Sequence, residues 1–236
     1  MSLRVMAKEL REFPILLAEK HNEANQSDLR EAFSKRVIEY LGQKAEVHFV
    51  LQPYPWKRAL LMAEVGDGLI WGVSRTPERE LIFDFSHSVY TSKVWVVVRK
   101  DDDSKIESIA DLTGKRVSLF RGATYGAEFD KARKNNLFAV EEDTDILETR
   151  FAKLEKQRTD VMLLGYHRSN PKRVAEYMEQ FGLDPAKLRI LEKPLFTDPL
   201  HIAIAKKNAL DFPMDALNQA IDAGHRNGEI ERIVEQ

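Results

Sequence analysis

The chain has 236 residues, with 38 acidic and 36 basic side chains, a formal net charge of -2, and 43% hydrophobic and 31% charged residues. That balance suits a globular protein of one large or two small domains, and it gives no electrostatic reason to expect nucleic acid or a membrane surface as partner. No run reaches transmembrane length, and the absence of cysteine excludes disulfides, thiolate chemistry and Cys-ligated zinc.

In chain order, residues 3–8 read as a short strand around Val5 and Met6, and Glu9 to Pro14 as a loop, because the residue before a proline avoids the helical region. Met1-Ser2-Leu3 runs directly into what reads as mature sequence, with any leader expected to have been removed. Ser27 to Leu41 has the marks of a helix: Ser27 as cap, Asp28 and Glu31 in the first turn, Leu29, Phe33 and Val37 at i+4, and Gly42 as stop. A strand at Val47 to Val50 and a helix from Trp56 through Ala63 follow.

Leu69-Ile70-Trp71 reads as a buried strand, after which Thr76 caps a helical turn opened by Pro77. Ligands of open α/β sheets bind at such strand ends, and Arg79 would carry a guanidinium fork there, shaped for a carboxylate. Read locally, a surface arginine paired with Glu78 or Asp84 fits the same residues. Val94 to Val98 and Arg116 to Phe120 are strands, and Ser108 to Leu112 is a short helix. Gly122 to Gly126 is a glycine-bearing loop opening a helix near Glu128 to Asn135, which makes it a candidate anion cradle or a plain strand-to-helix turn.

Ile146 to Lys156 and Asn170 to Phe181 read as helices, Asp160 to Leu164 and Leu200 to Ala205 as strands, and residues 213–224 and 228–235 as closing helices. This βαβ rhythm implies a mostly parallel sheet with helices on its faces. Ser88 to Val96 and Phe196 to His201 would then cross between two lobes and permit hinge closure. The six histidines are scattered and none sits at metal-ligand spacing, so no metal or other cofactor is expected.

Several of these stretches together are similar to a known family, the type II periplasmic solute-binding proteins of bacterial extracellular family 3. The signature runs from Gly66-Asp67-Gly68-Leu69-Ile70 through Thr76-Pro77-Glu78-Arg79 to Phe83-Asp84-Phe85-Ser86. Tyr90 falls where the family's motif ends, with Val89 replacing its proline. Asp111 to Val117 resembles "D-L-x-G-K-x-V", Gly122-Ala123-Thr124 the ligand loop, and His201 to Lys207 the second hinge strand.

The resemblance implies an α/β fold of two lobes, each a mostly parallel sheet flanked by helices, joined by two hinge crossovers. Residues 1–92 with 200–236 would form one lobe and residues 93–199 the other. It implies a monomeric, periplasmic binding protein that closes on a small carboxylate-bearing ligand and delivers it to ABC transporter permease subunits, without membrane insertion.

By position, Arg79 would clamp the ligand carboxylate, Ser74, Gly72 and Thr124 would assist it, and Tyr54 and Phe13 would wall its side chain, with Trp56 and Trp71 as further walls. The chain departs from the family where an aspartate usually accepts the ligand's ammonium: that position is Gly165, followed by Tyr166 and His167. Glu9 or Glu12 could substitute, or the ligand could lack an amino group. Two alternatives share the fold: a dehydratase acting on cyclic carboxylates, with Glu9, Glu12 or His167 as acid or base, and the sensor module of a receptor.

Overall fold

The computed structural model describes residues 11–18, 29–123, 125–143, 147–168, 170–207 and 212–235, with the backbone alone for residues 29–32. The first described strand is β1 (Glu12–Ala18), so the expected loop from Glu9 to Pro14 is corrected from residue 12 onward. The strand expected at residues 3–8 lies outside the described residues. Pro14 is tolerated inside β1 because pairing with β3 (Leu69–Ser74) begins only at Ile15, which leaves Pro14 a single strand neighbour. Gly68 answers the same proline: a Cβ there would stand 2.9 Å from the Pro14 carbonyl oxygen.

Helix α1 (Leu29–Ala45) continues past Gly42, the stop expected from the sequence. Gly42 serves close approach instead, since its Cβ would meet the Val47 carbonyl oxygen at 2.9 Å. Then come β2 (His48–Tyr54), α2 (Trp56–Val65), β3, α3 (Pro77–Glu80) and the long β4 (Phe83–Arg99). After a 3-10 turn at Ile109–Leu112 the chain forms β5 (Arg116–Phe120), α4 (Ala127–Lys134), β6 (Ala139–Asp143), α5 (Leu147–Glu155), β7 (Val161–Tyr166) and α6 (Pro171–Glu179). β8 (Leu188–Ile190), β9 (Phe196–Ala205), α7 (Met214–Arg226) and α8 (Glu229–Glu235) complete the described fold.

Hydrogen bonding links the strands in the order β2-β1-β3-β9-β4-β7-β5-β6, with β8 on β4. The parallel pairing expected of the sheet is found in two sets, β2-β1-β3 and β7-β5-β6. Between them β9 and β4 run antiparallel to each other and to their neighbours, so the two expected crossovers are themselves sheet strands.

Alternation along the strands feeds cores on both sheet faces. Ile15, Leu17, Leu69 and Trp71 pack under α1, α7 and α8, while Leu16, Ile70 and Val73 pack against α2. Beyond the crossing strands, Trp95 and Val97 join α5 and α6, whereas Val94, Val96 and Val98 join α4. Among the described residues no helix is long and apolar enough to cross a membrane, and no group of three His, Cys, Asp or Glu could hold a metal ion.

Candidate functional site

The parallel strands β1 and β3 on one side and β5 and β7 on the other end at a common cavity of about 190 Å³. β3 delivers its polar groups. Gly72 has φ +70 where the β3–β9 register shifts, and a Cβ there would meet the Tyr90 hydroxyl at 3.2 Å. Glycine is required both for that backbone turn and for that approach. Ser74 follows at the strand end, only 5% exposed.

The short helix α3 then turns Arg79 back toward the strand. Thr76 is extended and its hydroxyl accepts from the Arg79 backbone N–H at 3.3 Å, with Pro77 in the first turn. The Arg79 Nη1 donates to the Ser74 carbonyl at 3.0 Å, while the guanidinium lines the cavity. Burial lowers its pKa, with Asp130, Asp198, Glu64 and Glu78 opposing that shift, and an arginine so placed stays a cation.

Beside it stands a carboxylate that the sequence reading had not singled out. Asp198, on β9, is 6% exposed, and its Oδ2 accepts from the Ser74 Oγ at 2.6 Å. Burial pushes its carboxyl up to about 6; the Ser74 hydrogen bond and Arg79 pull the other way, and Asp130 adds to the rise. The cavity thus carries an opposed pair of charges on one wall, Arg79 and Asp198.

Rings form the remaining wall. Trp56 and Trp71, named above as secondary walls, line the cavity, as do Phe33, Tyr90, Phe120 and Tyr125. Trp71 is held by its Nε1 donating to Ser34 Oγ at 3.0 Å. Contacts also pass over the cavity from one side of the crossing strands to the other. Trp56 Nε1 donates to the Gly122 carbonyl at 3.3 Å, the Phe33 and His167 rings lie 4.3 Å apart, and Glu78 pairs with Lys134.

Of the residues proposed from sequence, Arg79, Ser74, Gly72, Gly165 and Tyr166 are brought together on this cavity. Thr124 lies outside the described residues. Phe13 and Tyr54 are placed elsewhere. Phe13 is 2% exposed in the core, edge-on to Phe212 at 4.9 Å, because β1 runs to Ala18 and presents Leu17 and Ala18 to the cavity. Four residues of strand, about 13 Å, separate Phe13 from that end. Tyr54 is level with Ala18 in register but packs on the α2 side, with the Arg58 guanidinium 4.9 Å from its ring centre. Glu12 sits at the far end of β1, paired with His48 at 3.2 Å, and Glu9 lies outside the described residues.

Comparison with known proteins agrees with this architecture. The family model for bacterial extracellular solute-binding proteins, family 3, matches residues 31–236. The arginine-binding extracellular protein ArtP of Bacillus subtilis (strain 168) is 25% identical over 209 residues, covering 85% of this chain and 75% of that protein. The structure of an ancestral arginine-binding protein bound to arginine superimposes with a TM-score of 0.71 at 21% identity, covering 95% of this chain and 96% of that one. An ancestral amino acid-binding protein described as a precursor of cyclohexadienyl dehydratase gives a TM-score of 0.68 at 19% identity, covering 95% and 94%. The fold is that of the type II periplasmic binding proteins, and the chain belongs to the bacterial extracellular solute-binding proteins, family 3.

Proposed function

We propose that this chain is an extracytoplasmic, periplasmic binding protein for an amino acid or a closely related carboxylate, which it passes to the permease subunits of an ABC importer. Residues 1–92 with 200–236 act as one lobe and residues 93–199 as the other, closing on the ligand as a monomer. The observation that carries the reading is the Arg79 guanidinium, fixed at the β3 end by Thr76 and the Ser74 carbonyl and turned onto a ring-walled cavity. A carboxylate there gains charge-assisted hydrogen bonds away from bulk water. The arginine-binding relatives support the amino-acid class.

Thermal unfolding of the protein with each of the twenty amino acids tests the reading. At least one, at saturating concentration, is expected to raise the midpoint by several degrees, since a ligand that binds only the folded state stabilises it. A flat response to all twenty would overturn the amino-acid assignment.

A second reading, dehydration of a cyclic carboxylate, draws on Asp198, whose carboxyl near 6 suits a general acid, and on the dehydratase precursor among the structural neighbours. Incubation with prephenate separates the two, because release of phenylpyruvate would favour chemistry over binding alone.

A further inference from the structure

Two features of the cavity lie outside the carboxylate contact, and the sheet register joins them. β4 has β7 on one side and β9 on the other. Gly165 of β7 is paired with Val94 of β4, and Asp198 of β9 with Ser92 of β4. Ser92 and Val94 are two residues apart and share a face, and directly paired residues share the face of their partner. The position of the absent side chain at 165 and the carboxylate at 198 therefore project from the same face, one strand to either side of β4. They converge on Ser92: a Cβ on Gly165 would stand 3.3 Å from the Ser92 Oγ, and Ser92 itself lies opposite Asp198.

We propose that Asp198 is the ammonium anchor of this site, so that the cavity selects α-amino acids, holding the carboxylate at Arg79 and the ammonium at Asp198. The proposal rests on the carboxylate contact of Arg79 and adds the second charged end of the ligand. Asp198 is buried, with Oδ2 taken by Ser74 and no hydrogen bond to Oδ1 among the described residues. A buried carboxylate in that state is poorly compensated, and its upward shift to about 6 expresses the cost. A ligand ammonium supplies the missing charge and donor. Arg79 and Asp198 on one wall match the dipole of a zwitterion, whereas a hydroxy or keto acid would leave Asp198 uncompensated.

The test is Asp198→Asn, which can still accept from Ser74 but carries no charge. The probes are the L-amino acid that stabilises the wild type most among the twenty, and the desamino acid of the same carbon skeleton. By calorimetry at pH 7.5, D198N is expected to bind the amino acid about 30-fold or more weakly, and the desamino acid at least as tightly as wild type. Unchanged amino-acid affinity, or an equal loss for both probes, would overturn the proposal; equal loss would mean that Asp198 only supports Ser74. The carboxylate reading fails separately, if Arg79→Ala spares the desamino acid.

Should D198N not fold, the wild type answers by pH. Asp198 is flanked by Arg75, Arg79 and Glu80 from the β3–α3 side and Asp130 from α4; His167 lines the cavity and His201 shares its strand. Protonation of Asp198 below about 6 removes the anchor, so amino-acid affinity is expected to fall about fivefold or more between pH 7.5 and 5. Because a cationic imidazole in the cavity would also oppose the ligand ammonium, the series is repeated on His167→Gln, and disappearance of the amino-acid-selective fall in that variant would overturn the assignment. A parallel fall for the desamino acid would overturn the assignment.

Discussion

Ser74 and Asp198 are 124 residues apart in the chain, and the hydrogen bond between them offsets part of the effect of burial on the Asp198 carboxyl. The Ser74 hydroxyl stabilises the charged form of Asp198 and so lowers its pKa against the larger upward push of burial. Ser74→Ala removes that donor, so the Asp198 midpoint is expected to move above 6. Carboxyl NMR titration reads the shift, and a midpoint that stays in place or falls would contradict this account. At pH 7 the same change is expected to weaken amino-acid binding by about 1 kcal/mol, the ordinary worth of one such hydrogen bond.

The helical turn at Thr76, Pro77 and Arg79 was legible locally, but those residues fit a surface arginine as well, and only the resemblance to the family singled out Arg79 as a ligand contact. Asp198 was not legible, because its role depends on strands that meet only through the register of β4. The one sequence sign of it was an aspartate next to Pro199, inside the expected crossover from Phe196 to His201.

At the scale of elements, α3 is four residues long and depends on its cap. Thr76→Ala leaves the Arg79 N–H without its side-chain acceptor and is expected to cost about 1 kcal/mol in urea unfolding. It should also weaken ligand binding, since the same residue carries the guanidinium; a variant as stable and as tight-binding as wild type would contradict the role given to the cap.

The helices and central strands were largely readable because their apolar periodicity is strong. Three elements were not, each for a physical reason. Pro14 suggested a loop, yet at its position β1 has only one strand neighbour. Gly42 suggested a helix end but is there to let Val47 approach. β6, Ala139 to Asp143, carries three acidic residues and gave no strand pattern, as an edge strand needs only one paired side. The misplacement of β1 also carried Phe13 into the expected site, which shows how an error of strand boundary becomes an error of function.

For the whole molecule, the two parallel strand sets are joined through β4 and β9, and hinge motion between the proposed lobes must bend these two strands. Contacts between the two sides among the described residues include the Trp56–Gly122 hydrogen bond, the Phe33–His167 contact, the Arg168–Glu235 ion pair and the exposed Glu78–Lys134 pair. Such contacts hold a closed form weakly by themselves, so a ligand bridging both sides should shift the population toward closure. Small-angle scattering is expected to show a smaller radius of gyration on adding the stabilising amino acid, and an unchanged profile at saturation would argue against ligand-driven closure.

The central claim is that Arg79 binds the ligand's carboxylate, and titration calorimetry of Arg79→Ala beside the wild type tests it most directly. With the amino acid that stabilises the wild type, the variant is expected to lose about 2–5 kcal/mol of binding free energy, the range for breaking a desolvated charge pair. An Arg79→Ala protein that folds normally and binds that amino acid with wild-type affinity would contradict the account.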